Sequence, residues 1–116
     1  MIDFATIRKL AQQLPGIEEG TSYGTPALRV GKRLILRLHD KEDAIVLLLD
    51  SVEEQQELIS QDPLCFFITD HYKGYAAVLV RPTIATAEFQ ALLERSWRRV
   101  ARKRDLAEFE QRNTKG

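Results

Sequence analysis

The sequence predicts an α+β fold, in which an antiparallel sheet is combined with helices. Three observations support this prediction. The chain has 116 residues, which is the length of one domain and too short for two good cores. Segments near both ends repeat apolar residues at helical spacing. Between them, five short apolar runs are separated by turn-forming residues, a pattern typical of strands joined by hairpins.

The first predicted element is a helix from about residue 3 to residue 14. Asp3 is suited to cap its N-terminus, and the pair Pro15 and Gly16 is suited to end it. One face of this helix is apolar and carries Phe4, Ile7, Leu10, Ala11 and Leu14.

The predicted strands are the runs "PALRV", "RLILRL", "AIVLLL", "CFFIT" and "AAVLV". The length of the loop between the first two strands determines which of their residues pair. Directly opposed residues share a face of the sheet, so each possible loop length can be checked against the apolar pattern. A two-residue loop would set Arg29 opposite Leu34 and mix the faces, whereas a three-residue loop over residues 31–33 pairs Leu28 with Leu36. We therefore predict the longer loop, with its two cations at an exposed tip.

Two further helices are predicted. Ser51 and Glu54 have the spacing of a capping box, so the second helix begins at about Ser51 and a proline at residue 63 ends it. The third helix begins near Thr86 and has the clearest apolar pattern. We predict one domain over residues 1–104, followed by a polar C-terminal tail over residues 105–116.

The third helix has an arginine-rich side. Its predicted core face contains Phe89, Leu92, Leu93, Ser96, Trp97 and Val100, and the opposite side contains Arg95, Arg98, Arg99 and Arg102. The simpler interpretation is a solvated face favoured by the helix dipole, and the alternative is a phosphate-contacting stripe. Leu106 and Phe109 would fall among the arginines in a continuous helix. The helix therefore breaks near Arg104, or these two residues dock elsewhere, for example in an oligomer contact.

Composition excludes several classes of protein. Seventeen basic and seventeen acidic residues give a formal net charge of zero, which argues against a protein that mainly coats nucleic acid but allows a local basic face. One cysteine, Cys65, and an N-terminus without a signal-peptide pattern predict a cytoplasmic location. The longest apolar run, "AIVLLL", is too short to cross a bilayer, so we predict no membrane partner.

Motifs for catalysis, phosphate loops, dinucleotides and zinc are missing from the sequence, so we predict no catalytic residue, no cofactor and no metal site. "HDKED", beginning at His39, fits a solvated turn better than a set of metal ligands. Asp70, His71 and Tyr72 fit a turn at Gly74 better than general acid/base chemistry. Cys65 fits a small core residue.

The order of residues resembles the MmcQ/YjbR-like family. The stretch "LPGIEEGTSYGTPALRVGKRL" is similar to the opening segment of that family, and "DHYKGYAAVLV" and "LLERSWRRVA" are similar to later segments. The resemblance spans roughly Phe4 to Lys103. The matching positions in the opening segment are Leu14, Pro15, Glu18, Glu19, Gly24, Pro26, Val30, Gly31 and Lys32.

The resemblance implies a two-layer fold with a five- to six-stranded antiparallel sheet, helices packed on one face, and flanking N- and C-terminal helices. This fold is grouped with secretion chaperones and CyaY-like proteins. It also implies DNA binding through hairpin wings. The chain departs from the family by lacking a lysine in "VLLL" and by having Tyr75 where a tryptophan is frequent.

Three hypotheses for function follow. The first is weak, largely sequence-independent DNA binding. The second is a homodimer or protein-interaction module without nucleic-acid binding. The third and least favoured is an enzyme acting through Asp70, His71 and Tyr72, and no small-molecule ligand is predicted. The candidate phosphate contacts are Lys32, Arg33, Lys73, Arg95, Arg98, Arg99 and Arg102.

Overall fold

A computed structural model describes residues 1–114 and shows a six-stranded antiparallel sheet with helices. The strand order is β1-β2-β3-β4-β6-β5, so the predicted α+β class and sheet are confirmed. The elements are α1 (Phe4–Ala11), β1 (Ile17–Ser22), β2 (Thr25–Val30), β3 (Arg33–Leu38), β4 (Ile45–Leu48), α2 (Val52–Gln61), β5 (Phe66–Phe67), a 3₁₀ turn (Asp70–Tyr72), β6 (Ala77–Val80), α3 (Thr86–Val100) and α4 (Lys103–Thr114).

The two predicted N-caps are confirmed. The Asp3 carboxylate accepts a hydrogen bond from the backbone N–H of Thr6 at 2.8 Å, and the Ser51 hydroxyl accepts one from the backbone N–H of Glu54 at 3.1 Å. Each bond satisfies a donor that the first helical turn leaves unpaired. Local sequence therefore sets where α1 and α2 begin.

The predicted three-residue loop between β2 and β3 is wrong. The chain turns over two residues, Gly31 and Lys32, with Gly31 in the left-handed region at φ +61°. The Cα partners are Val30 with Arg33, Arg29 with Leu34, and Leu28 with Leu36. Ile35 is therefore an extra, bulged residue, which is fully buried. The bulge restores the apolar pairing that a plain two-residue turn would have lost.

β1 was not among the predicted strands, because its sequence "IEEGTS" lacks apolar alternation. It pairs with β2 along its whole length, from Ile17 opposite Val30 to Ser22 opposite Thr25. The connecting turn places both Tyr23 and Gly24 at positive φ, as the twist of a tight hairpin requires. Backbone pairing and the turn thus build this strand without an apolar face.

The sheet has two unlike faces. The helix face carries the aligned row Leu28, Leu36, Leu47 and Val78, packed in one core with apolar residues from all four helices. The turn face is covered mainly by Tyr72 of the 3₁₀ turn, which packs against Val46 and Leu79. Its aligned row is Ala27, Arg37, Val46, Leu79 and Phe67.

α4 occupies the segment that the sequence analysis assigned to a polar tail. The predicted break is present, but α3 already ends at Val100 and Arg102 lies in the link to α4. Phe109 is buried, with its ring centroid 5.0 Å from that of Trp97. This contact lies within the chain and uses a residue that the sequence left without an intramolecular partner.

Candidate functional site

The four arginines predicted as a stripe have unequal surroundings. Arg99 is half-buried, and its Nη2 donates a hydrogen bond to the Leu34 carbonyl at 2.7 Å. The other three pair with carboxylates: Arg95 with Glu54 at 3.3 Å, Arg98 with Glu94 at 3.1 Å, and Arg102 with Asp105 at 2.8 Å. Their charge is therefore partly compensated within the fold.

Lys32, Arg33 and Arg99 form a separate group, which we call the basic tip. Lys32 and Arg33 are exposed at the β2–β3 turn. Burial, and then the nearby charge of Arg33, lower the pKa of Arg99, while Asp50 and Glu54 act in the opposite direction. The Arg99 Nε is buried without a hydrogen-bond partner among residues 1–114. Because Arg99 donates to the carbonyl of Leu34, the residue after Arg33, these two cations lie close together beside an exposed turn.

Lys73 is not part of the basic tip. It follows the 3₁₀ turn, whose Tyr72 packs on the turn face, whereas Arg99 belongs to α3 on the helix face. The side-chain amide of Gln55 holds this segment in place, because its Nε2 donates hydrogen bonds to the carbonyls of Tyr72, Tyr75 and Ala77. The seven predicted cations therefore do not share one face.

A cleft of about 570 Å³, which the sequence did not predict, lies on the turn face. It lies where the β1–β2 turn, the loop after β3 and the 3₁₀ turn meet. Side chains that define it include Tyr23, Arg37, His39, Asp70, His71 and Tyr72.

Arg37 forms the floor of this cleft. The side chain is buried, with 7% of the residue exposed. Its Nη1 donates to the Leu38 carbonyl at 3.2 Å, its Nη2 donates to the Tyr72 hydroxyl, and its Cζ lies 5.2 Å from the centre of the Tyr23 ring. Within residues 1–114, no carboxylate forms an ion pair with it. The only sequence signal for it was an arginine inside the apolar run "RLILRL".

His39 has a defined orientation at the edge of the cleft. Its Nδ1 accepts hydrogen bonds from the backbone N–H groups of Lys41 at 3.1 Å and Glu42 at 2.9 Å. Because Nδ1 is an acceptor, the ring hydrogen of the neutral form is on Nε2. The predicted turn at residues 39–43 is thus held by the histidine itself.

Asp70, His71 and Tyr72 line the same cleft. The His71 ring contacts that of Tyr72 edge-on at 4.9 Å and stacks on Tyr75 at 6.2 Å between centroids. In the part of the chain that the structure describes, no hydrogen bond joins the side chains of these three cleft residues to one another. The arrangement brings them together without forming a proton relay.

Other kinds of site have less support. Cys65 is buried as predicted, and burial raises the pKa of its thiol. Across residues 1–114, no cluster of three or more metal-ligating side chains occurs. The helices of that same region are all too short or too polar to cross a membrane.

Comparison with models of known protein families shows a relationship for most of the chain. The family model YjbR matches residues 12–99, which is more than half of the chain. The chain belongs to the YjbR family. No curated protein and no solved structure gives a significant match.

Two residues of the stretches that carried the resemblance, Ser96 and Trp97, have structural roles in this YjbR-family chain. The Trp97 Nε1 donates to the Pro15 carbonyl at 2.8 Å, and the Ser96 hydroxyl donates to the Leu48 carbonyl at 2.7 Å. These bonds join the α1–β1 link, β4 and α3. The stretches that carried the resemblance therefore contain residues that hold the fold together, and they also contain the cleft residues Tyr23, Asp70, His71 and Tyr72, whereas Arg37 lies outside them.

Proposed function

We propose that this protein binds DNA weakly and without sequence preference, and that it has no catalytic activity. The observation that carries the proposal is the hydrogen bond from Arg99 to the carbonyl of Leu34, the residue after Arg33, which holds Arg99 beside the exposed Arg33 and Lys32. Mutual repulsion between neighbouring cations is relieved by an anion, and backbone phosphates are the anions that a projecting basic turn can reach on a duplex.

The charges around the basic tip support weak rather than tight binding. Asp50 and Glu54 act on Arg99 with opposite sign, and the chain as a whole is neutral. Three phosphate contacts predict a log-log salt slope of about −3, and non-specific complexes of this kind have Kd values of roughly 10⁻⁴ to 10⁻⁶ M. The paired arginines of α3 add little to this count.

The absence of catalysis is part of the proposal. Asp70, His71 and Tyr72 share a cleft but lack mutual side-chain hydrogen bonds in the described part of the chain, so no base is oriented towards a nucleophile. A homodimer or protein-interaction module is the alternative hypothesis. The sequence evidence for this alternative was the pair Leu106 and Phe109, for which the sequence suggested an oligomer contact. In the structure both pack against the chain's own core.

The test is fluorescence anisotropy of a labelled random-sequence duplex, titrated with protein at 25 to 200 mM salt. The variant Lys32→Gln with Arg33→Gln removes two cations from the tip. The control Lys41→Gln with Arg81→Gln removes two cations from the opposite end of the sheet. We expect micromolar to sub-millimolar binding at low salt and a slope shallower by about 2 in the tip variant.

Equal slopes in the tip variant and the control would contradict the assignment to the basic tip. A lack of binding even at 25 mM salt would contradict the DNA proposal as a whole. In that case, sedimentation of the protein across a hundredfold concentration range would test the dimer alternative.

A further inference from the structure

We propose that the cleft on the turn face binds a small organic oxyanion, a carboxylate or a phosphate group, with the rest of the ligand lying against Tyr23. This site is independent of the proposed DNA contact. Arg33 and Arg37 are four residues apart on β3, about 13 Å along the strand. The guanidinium groups of the two arginines also belong to different faces of the sheet.

The charge of Arg37 is buried beneath the cleft. A guanidinium is always protonated, and a charge removed from water is costly unless an opposite charge accompanies it. Arg37 has two neutral hydrogen-bond acceptors, the Leu38 carbonyl and the Tyr72 hydroxyl, and no ion pair within residues 1–114. The cleft above it is the space from which a counter-charge can come.

Tyr72 and His39 add hydrogen-bond donors beside that guanidinium. The Tyr72 hydroxyl accepts from Arg37, so its own hydrogen is available to an acceptor. The His39 Nδ1 is occupied by two backbone N–H groups, which leaves its Nε2–H as a donor. Arginine, phenol and imidazole donors on one cleft are the groups that recognise a carboxylate or phosphate.

Tyr23 has an unusual backbone conformation at the edge of the cleft. Its φ of +53° is in the left-handed region, which a bulky side chain rarely adopts and which Asn or Gly would adopt at lower cost in this turn. Tyr23 is 86% exposed, so packing does not explain its presence there. It provides an aromatic wall beside Arg37, and backbone strain of this kind is typical of binding sites.

The rim of the cleft limits the size and charge of the ligand. Asp40, Glu42 and Asp70 are exposed and line the cleft. The exposed Lys41 also lines the cleft, so three carboxylates and one ammonium give the rim a net negative charge, which repels a polyanion such as DNA. A small ligand with one oxyanion group can pass them and reach the buried Arg37.

The test is an NMR titration of the whole chain, in which ¹H–¹⁵N shifts are followed with benzoate, phenyl phosphate and the neutral analogue benzamide. We expect saturable shifts at the backbone amides of Arg37, His39 and Tyr72 for at least one anion, with a Kd of about 1 mM for so small a ligand. The anion that binds more tightly identifies the group as carboxylate or phosphate. Benzamide is expected to bind at least tenfold more weakly.

Variants separate a binding role from a structural one. Arg37→Gln is expected to weaken binding of the anion tenfold or more, and Tyr72→Phe about threefold or more. Thermal melting curves show whether each variant is folded. Tyr23→Ala tests the aromatic wall and is expected to weaken binding, whereas the control Leu64→Ala, at an exposed residue outside the cleft, is expected to leave it unchanged. If Arg37→Gln does not fold, Tyr72→Phe and Tyr23→Ala carry the same test.

Two results would overturn the proposal. One is the absence of saturable shifts at the cleft up to 20 mM of either anion, a range about twentyfold above the expected Kd. The other is binding of benzamide as tight as that of the anions. Neither result bears on the DNA titration, because the basic tip and the cleft share no residue.

Discussion

The two faces of the sheet bury their side chains in different ways. On the helix face, an aligned row of leucines and valine packs against apolar residues from four helices. On the turn face, the equivalent row contains Arg37 and is covered mainly by one aromatic side chain, Tyr72. Apart from the half-buried Phe67, both rows are buried, but the turn-face row contains a charged side chain, Arg37, that forms no ion pair within residues 1–114.

This difference separates stability from recognition. Apolar burial contributes about 25 cal/mol for each Å² removed from water, and the helix face holds the larger core. A buried guanidinium contributes little net stability, because the cost of desolvation offsets its hydrogen bonds. We therefore expect stability to depend on the helix face and ligand recognition to depend on the turn face.

The largest expected effect is that of Trp97→Ala on the helix face. Trp97 is fully buried, donates to the Pro15 carbonyl and packs on Phe109. Its truncation leaves a cavity and an unpaired carbonyl, and we expect a loss of about 3–5 kcal/mol in the free energy of unfolding. Urea denaturation measures this loss. Leu64→Ala is the control, because Leu64 is 88% exposed, and a similar loss there would contradict the assignment.

The next effect concerns Asp105, which joins α4 to the rest of the helix face. Its carboxylate accepts from the Arg102 backbone N–H at 3.0 Å and from the Arg102 side chain. It also lies against Gly16, where an added Cβ would be 2.6 Å from its Oδ1. Asp105→Asn keeps an acceptor oxygen for the Arg102 backbone but loses the charge that strengthens the hydrogen bond from the Arg102 side chain, and we expect it to cost about 1 kcal/mol.

The pH dependence of this effect has a definite sign. The hydrogen bond from the Arg102 side chain is the main reason that the pKa of Asp105 is lowered. A carboxyl with a lower pKa in the folded state stabilises the fold above its unfolded pKa, about 3.9, and loses that contribution as the pH falls through the folded pKa. Chemical denaturation from pH 7 to pH 2 should show the two proteins converging in stability below about pH 4. A constant difference would argue against a charge effect.

Much of the helix face was predictable from sequence, because its signals are local. Side-chain caps at Asp3 and Ser51 fix two helix starts, and apolar spacing in α3 correctly gave the core residues Phe89, Trp97 and Val100. β1 and the bulge at Ile35 were not predictable in the same way. β1 depends on pairing with β2, and the bulge depends on the turn length, both of which are long-range features of the sheet.

The candidate sites were predictable only in part. A helical wheel places Arg95 and Arg98 on one side, but it cannot show that Glu54, from another helix, lies within 3.3 Å of Arg95. Arg37 was missed because an arginine in a strand normally points to solvent, and the 3₁₀ turn that covers it comes from residues 70–72. The pairing of Arg95 and the burial of Arg37 both depend on contacts between segments that are distant in the sequence, and sequence patterns do not show such contacts.

A smaller effect is expected when the polar pair on the turn face is removed. Arg37→Met combined with Tyr72→Phe removes both partners of their hydrogen bond, so that the Leu38 carbonyl is the acceptor that loses a donor. Such replacements are usually neutral or stabilising, and we expect a change within about 1 kcal/mol. Urea denaturation of the double variant measures it. A loss as large as that of Trp97→Ala would show that Arg37 mainly supports the fold, and the contrast between the faces would disappear.

The smallest expected effect on stability comes from replacing exposed cations. These differ in whether a carboxylate in the fold pairs with them. Arg98 pairs with Glu94, whereas Arg33 lies beside another cation, Arg99. Arg98→Gln and Arg33→Gln should each change the free energy of unfolding by less than about 0.5 kcal/mol. Only Arg33→Gln should make the salt slope of DNA binding shallower, by about 0.9 for one lost phosphate contact. Equal slopes for the two variants would mean that ion pairing within the fold does not determine which arginines contact DNA.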